Sequence, residues 1–214
     1  MLKRALTRWP RASSADPIAS GSVGYADKAL DLILQYCTDD HHRVAGEALE
    51  ALRQYTEIFT GSPDTSRLWR SLTILFGLLN DRRPKIREQA ADVLNQIRLS
   101  VQPVDMAAAL CPRLLDLTER SRAPALQLLC LTAPHCEEYY SIPQNAKAFF
   151  SRLANLMDGQ GTATGHGAAV ATLAKRLFDL IVRVNPQASH GIDNRIVRKR
   201  IHSSYGVLYI TFVS

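Results

Sequence analysis

Residues 72–97, LTILFGLLNDRRPKIREQAADVLNQI, decide how the chain folds. Leu72, Leu75, Phe76 and Leu79 recur at i, i+3, i+4 and i+7, the spacing of a single apolar stripe along a helix. Asn80-Asp81 stops that helix. Pro84 sits where a second one begins, because a first-turn residue has no intrahelical partner for the N–H that proline lacks. Ile86, Ala90, Val93, Leu94 and Ile97 then form a second stripe, and the small Ala90 and Ala91 allow close approach. The spacing predicts a helical hairpin. One hairpin cannot bury two stripes alone, so the pattern requires neighbours of the same kind.

Such neighbours are written on both sides. Upstream, Tyr25, Ala29, Leu30, Ile33, Leu34 and Cys37 make one stripe and Val44, Ala48, Leu49, Leu52, Tyr55 and Phe59 another, with Thr38-Asp39-Asp40 between them as stop and cap. Gly61-Ser62-Pro63-Asp64 ends the second helix and caps the next. Downstream, 103–117 pairs with 123–137, and 143–157 with 167–184; no strand signal occurs through residue 190. A shift of 42 sets Ile86 on Val44, Asp81 on Asp39, Ala90 on Ala48 and Leu94 on Leu52, and twice that shift carries Ile86 to Val170 and Ala90 to Ala174. The third pair fits at a shift of 38, Leu79 against Leu117. A period near 40 with two helices per unit predicts an all-α solenoid of about four hairpins spanning 25–187.

The unit LLNDRRPKIREQAADVLNQI is similar to the HEAT consensus, with Asp81, Pro84, Ile86-Arg87 and Ala90-Ala91 in its acid, proline, apolar-Arg and small-residue places. More narrowly, ALQLLCLTAPHCEEYYSIPQNAKAFFSRLANLMDG followed by a helix ending FDLIVRVNPQ resembles the last repeats of a TOG array of the cytoplasmic linker-associated proteins (CLASP family). That resemblance implies an armadillo-like HEAT superhelix that binds tubulin or microtubules through its intra-repeat turns, without catalysis or cofactor, and a cytoplasmic, cytoskeletal location. The chain departs from the family in having four hairpins where six are usual. It also carries Asp40-His41-His42 where the family's first turn presents an aromatic.

Charge locates the candidate site. The chain is +6 overall, yet residues 1–15 supply +4 and 191–214 supply +3, leaving the body at −1. That distribution excludes a uniformly basic nucleic-acid binder. Within the body, Arg82, Arg83, Lys85 and Arg87 against Asp81 make the turn +3 over seven residues. A solenoid places equivalent turns along one edge, so Arg43, Arg120 and Arg122 are expected on the same rim as Arg82, Arg83 and Lys85. These six form the expected edge for an acidic tubulin surface, where basic groups steer association and make it salt-sensitive. Arg87 reads as structural, pairing with Asp81 or a neighbouring repeat. A generic HEAT adaptor that binds proteins on its concave face is the alternative.

Other chemistry finds little footing. No G-x-S-x-G, H-E-x-x-H or Walker P-loop occurs, and DGQGTATGHG at 158–167 has threonine at 164 where G-x-G-x-x-G needs its last glycine. His41-His42 beside Asp39-Asp40 lacks the i, i+4 spacing of helical metal sites and reads as capping residues. Cys37, Cys111, Cys130 and Cys136 form no C-x-x-C pair and read as buried thiols of a reducing compartment. With no run of 18 apolar residues, no membrane span is expected. Residues 1–24 read as a disordered basic segment, with an acid-poor mitochondrial transit peptide over 1–15 as the alternative. Residues 188–214 turn from a basic cluster to β-prone YGVLYITFV: an interaction tail, a strand needing a partner, or foreign sequence.

Overall fold

A computed structural model describes residues 19–59, 65–158 and 165–186. Most of the basic N-terminal segment, the 60–64 turn, most of the glycine-rich turn and the 188–214 tail lie outside these residues. Among the described residues all regular structure is helical. The α-helices are α1 (Ala19–Cys37), α2 (His42–Gln54), α3 (Ser66–Leu78), α4 (Pro84–Ser100), α5 (Pro103–Leu110), α6 (Glu119–Thr132), α7 (Glu137–Ser141), α8 (Pro143–Asp158) and α9 (Gly165–Val184). None is long and apolar enough to cross a membrane. Helix α1 begins at Ala19, ahead of Tyr25, where the apolar stripe starts.

The stripes become the core, except at Tyr25 and Val44, the first residues of the first two stripes, which are exposed. Leu72, Leu75 and Phe76 of α3 and Ile86, Ala90, Val93 and Ile97 of α4 are all buried, within one continuous cluster that runs from Leu30 to Ile181. Burying an aliphatic or aromatic side chain of this size stabilises by about 1.5–3 kcal/mol, and backbone and side-chain ordering offsets most of the sum. Helices pack in sequence order: α1 on α2, α3 on α4, α5 on α6 and α8 on α9 within pairs; α1 on α3, α3 on α5, α2 on α4 and α6 on α9 between them.

Several bonds that cross between neighbouring pairs lie 40–44 residues apart in sequence. Arg67 reaches Asp27 across 40 residues, Arg83 reaches Asp39 across 44, Ser100 meets Thr56 across 44, and the Cys130 thiol points to the Leu173 carbonyl across 43. Asn185 reaches Ser141 across 44. These spacings lie close to the 42-residue shift of the apolar pattern.

The third pair departs from the expected boundaries for reasons of proline chemistry. A continuous helix over 103–117 was expected; α5 stops at Leu110 and a tight 3-10 segment, Cys111–Asp116, follows. Pro112 has no N–H to give the carbonyl four residues back. Likewise the 123–137 helix ends at Thr132, because Pro134 forces a 3-10 turn at Ala133–His135, and Glu137 opens the separate α7. At its other end α6 starts at Glu119, ahead of the expected Ala123, and carries Pro124 in its second turn.

Candidate functional site: the basic turns

The turn between α3 and α4 is built from its own backbone. Asn80 and Asp81 donate their N–H groups to the Gly77 and Leu78 carbonyls at 3.0 Å, and Asn80 Nδ2 caps Phe76 at 3.3 Å. Asp81 Oδ1 accepts the Arg83 backbone N–H at 2.8 Å, an Asx turn that sets the chain for Pro84 at the start of α4. The turn between α1 and α2 repeats this 42 residues earlier, with Asp39 Oδ1 accepting the His41 N–H at 2.7 Å. A carboxylate two residues ahead of the helix cap is thus the shared device of both turns.

Arg83 joins them. Its Nε and Nη2 clasp the two oxygens of Asp81 at 2.8 and 2.9 Å, while Nη1 donates to the Asp39 and Asp40 carbonyls at 3.0 and 2.9 Å. The Arg83 side chain, hydrogen-bonded to it, holds the Asp81 carboxyl down at about 2. Arg87 reaches back from α4 to the Asp81 carbonyl at 2.9 Å and the Arg82 carbonyl at 3.3 Å. Two turns are thereby fixed side by side. Arg43, Arg82 and Lys85 remain exposed around this junction. His41 and His42, also exposed, lie with rings stacked, centroids 5.2 Å apart and 12° from parallel.

The six expected rim residues therefore divide. Arg83 and Arg122 are half-buried and spend their guanidinium groups inside the molecule, Arg122 Nη2 donating to the Leu115 carbonyl at 2.8 Å. Its Nε is buried without a hydrogen-bond partner. Arg120 is exposed at the start of α6. Arg87 and Arg122 are both fourth residues of their helices and both grip carbonyls of the preceding turn. Arg87 bonds backbone carbonyls of its own turn, and its charge adds to the lowering of Asp81.

Sequence reading missed the ion pairs between α1 and α3. Arg67 holds both oxygens of Asp27 at 2.7 and 3.0 Å, and Arg70 bonds Asp31. The signal was available as Asp27/Arg67 and Asp31/Arg70, spaced like the repeat. Arg113 lies over the Trp69 ring, 5.7 Å from its centroid, joining the third pair to α3.

Elsewhere the chemistry is quiet. All four cysteines are free and buried. Burial pushes the Cys37 thiol up to about 12 and Cys136 up to about 11, which removes the thiolate needed for nucleophilic attack. Among the described residues no three His, Cys, Asp or Glu side chains gather to hold a metal ion. An open cavity of about 430 Å³ runs along one face of α9, lined by Thr172, Lys175, Arg176, Asp179, Leu180 and Arg183. Compared with family models, curated proteins and solved structures, the chain matches none.

Proposed function

We propose that the chain is a HEAT-like α-solenoid that binds tubulin or microtubules without catalysis, through Arg43, Arg82 and Lys85 on the edge formed by its first two intra-repeat turns. The observation that carries the reading is the junction at Arg83: it holds the basic 81–87 turn against the turn that precedes α2 and leaves Arg43, Arg82 and Lys85 outside the internal network. Side chains fixed by their backbone lose less entropy on binding, so a pre-built edge favours association. The 40–44-residue spacing of contacts across the pairs supports the solenoid part of the reading. The resemblance of the 72–97 unit and of residues 125–187 to HEAT and TOG repeats supplies the partner. Arg120 extends the edge if the third turn lies in line.

The test is co-sedimentation with microtubules, and gel-shift with free tubulin, over a salt series. Binding is expected to weaken as salt screens the edge, and to fall at least tenfold in the triple variant Arg43→Glu, Arg82→Glu, Lys85→Glu, with the helical circular dichroism unchanged. Unaltered binding in that variant overturns the proposal. Arg83 and Arg122 are unsuitable for this test, because their loss disturbs the fold.

A second reading, a protein-binding adaptor, draws on Leu99 of α4 and Leu131 of α6. Both are exposed, on helices that make no substantial contact with each other. Leu99→Asp with Leu131→Asp would abolish adaptor binding while leaving microtubule binding intact.

A further inference from the structure

Helix α9 buries one side and turns the other to solvent. Val170, Ala174, Leu177 and Ile181 are buried where it packs on α6 and α8. At about 100° per residue, Thr172, Arg176, Asp179 and Arg183 fall within about 60° of one another on the opposite side, and all four are exposed. The open cavity of about 430 Å³ runs along this stripe and takes in the half-buried Leu180. A polar stripe on a helix is ordinarily a solvated face, but the cations of this one are treated differently from others in the molecule. Arg53 and Arg98, on the surfaces of α2 and α4, are held by Glu50 and Asn95 of their own helices. Arg176 and Arg183 have no such partner among the described residues, although Asp179 stands three and four residues from them. Lys175, half-buried at the same cavity, already has an interaction of its own and is left out of the argument.

We infer that this face binds an acidic helix of a partner protein, one with two carboxylates seven residues apart and an apolar residue between them. Charge and spacing argue for that occupant. Arg176 and Arg183 stand about 10.5 Å apart along the axis, close to two full turns, so a helix lying along α9 repeats carboxylates at the same interval. A guanidinium takes a carboxylate through two parallel hydrogen bonds, which rewards a fixed spacing more than a diffuse negative surface. Leu180 lies between the two arginines in the chain and lines the same cavity, so it gives an apolar side chain of the partner a seat. An amphipathic helix laid in a groove is recognised by anchors at this kind of interval. Asp179 argues against a nucleic acid as occupant, since a polyphosphate carries charge at every step and would bring it against this carboxylate. Helix α9 makes no substantial contact with α1–α4, so the face is separate from the edge at the first two turns and does not rest on tubulin binding.

The test is fluorescence anisotropy with the full chain and a labelled peptide of about 16 residues, stapled because so short a helix is marginal in water. The peptide carries two glutamates seven residues apart with a leucine four residues after the first, and is otherwise alanine and glutamine. Binding is expected, weaker as salt rises, and at least about tenfold weaker in the variant Arg176→Glu with Arg183→Glu. That variant is expected to regain affinity for the same peptide with lysines in place of its glutamates, which a chain that had merely unfolded could not do. A peptide with its glutamates five residues apart, on different faces of the helix, is expected to bind at least about fivefold more weakly than the first. The variant Arg43→Glu, Arg82→Glu, Lys85→Glu is expected to bind the first peptide unchanged. Absence of binding, equal binding of the two spacings, or equal binding by the native chain and the Arg176, Arg183 variant overturns the inference. So does tighter, Arg176-dependent binding of a single-stranded DNA of about twelve nucleotides, since the face would then be a polyanion site.

Discussion

At Arg83 a surface cation turns out to be a structural bolt. Five donors in a planar fork allow one guanidinium to satisfy a carboxylate and two carbonyls at once, which an ammonium group cannot do. The sequence shows a basic cluster and nothing in it distinguishes Arg82, which stays exposed, from Arg83, which is spent. The distinction arises because Asp81 closes an Asx turn on residue 83, aiming that side chain at the neighbouring turn. Asp81 in turn depends on Arg83 for its low pKa, and the sign of the linkage follows. The folded state keeps this carboxyl ionised to about 2, below the ordinary 3.8, so its contribution is fully present above about pH 4 and is lost as pH falls toward 2. Asp81→Asn, which keeps the turn's acceptor oxygen and removes the charge, is expected to cost about 1 kcal/mol at pH 7. Its deficit against the native chain should shrink steadily below pH 4, as urea midpoints across pH 2.5–7 would reveal. A deficit that stays constant over that range would show that the Asp81–Arg83 pair does not contribute in this way.

Elements were legible in proportion to how far local pattern determined them. Helices α3 and α4 follow the apolar stripes closely because Asn80-Asp81 and Pro84 punctuate them, and their buried faces are the ones the spacing names. The third pair departs from its apolar pattern because the periodicity continues straight through Pro112 and Pro134, while the backbone cannot. Pro124 is the converse case, a helix breaker tolerated inside α6 because Ala125, Leu126, Leu128 and Leu129 are buried around it. Gly46 shows what sequence could not disclose. Mid-helix glycine costs about 1 kcal/mol relative to alanine, and its reason lies across the seam. A Cβ there would stand 3.2 Å from Gln89 Oε1, a buried atom without a hydrogen-bond partner. That oxygen is the end of a flexible side chain and can give by a few tenths of an ångström. Gly46→Ala is therefore expected to stabilise by about 0.5 kcal/mol and Gly46→Leu to destabilise by about 1–3 kcal/mol, through overpacking of α2 against α4. Thermal melts of the two variants check both signs.

Over the whole molecule, the all-helical packing was legible from apolar spacing, but the unequal strength of the seams between helical pairs was not, since that depends on which helices meet. The first seam has α2 on α4 and α1 on α3, reinforced by Arg67–Asp27 and by Arg83. The last has α6 on α9. Between the second and third pairs, α4 and α6 make no substantial contact, and the junction is left to α3 against α5 and α6, with Trp69 under Arg113. Where packed helical pairs meet over unequal surfaces, the weakest junction decides where cooperativity breaks. Trp69→Ala removes the cation–π contact, worth about 0.5–2 kcal/mol, and the packing of a half-buried indole. It is expected to split a single urea transition into two, one for α1–α4 and one for α5–α9. Leu49→Ala, buried in α2 away from that junction, should cost about 2–5 kcal/mol while keeping the pattern of steps seen in the native chain. Hydrogen exchange followed through the same titration assigns each step to its helices, and a Trp69→Ala chain that still unfolds in one step, with all helices opening together, would place the weak junction elsewhere.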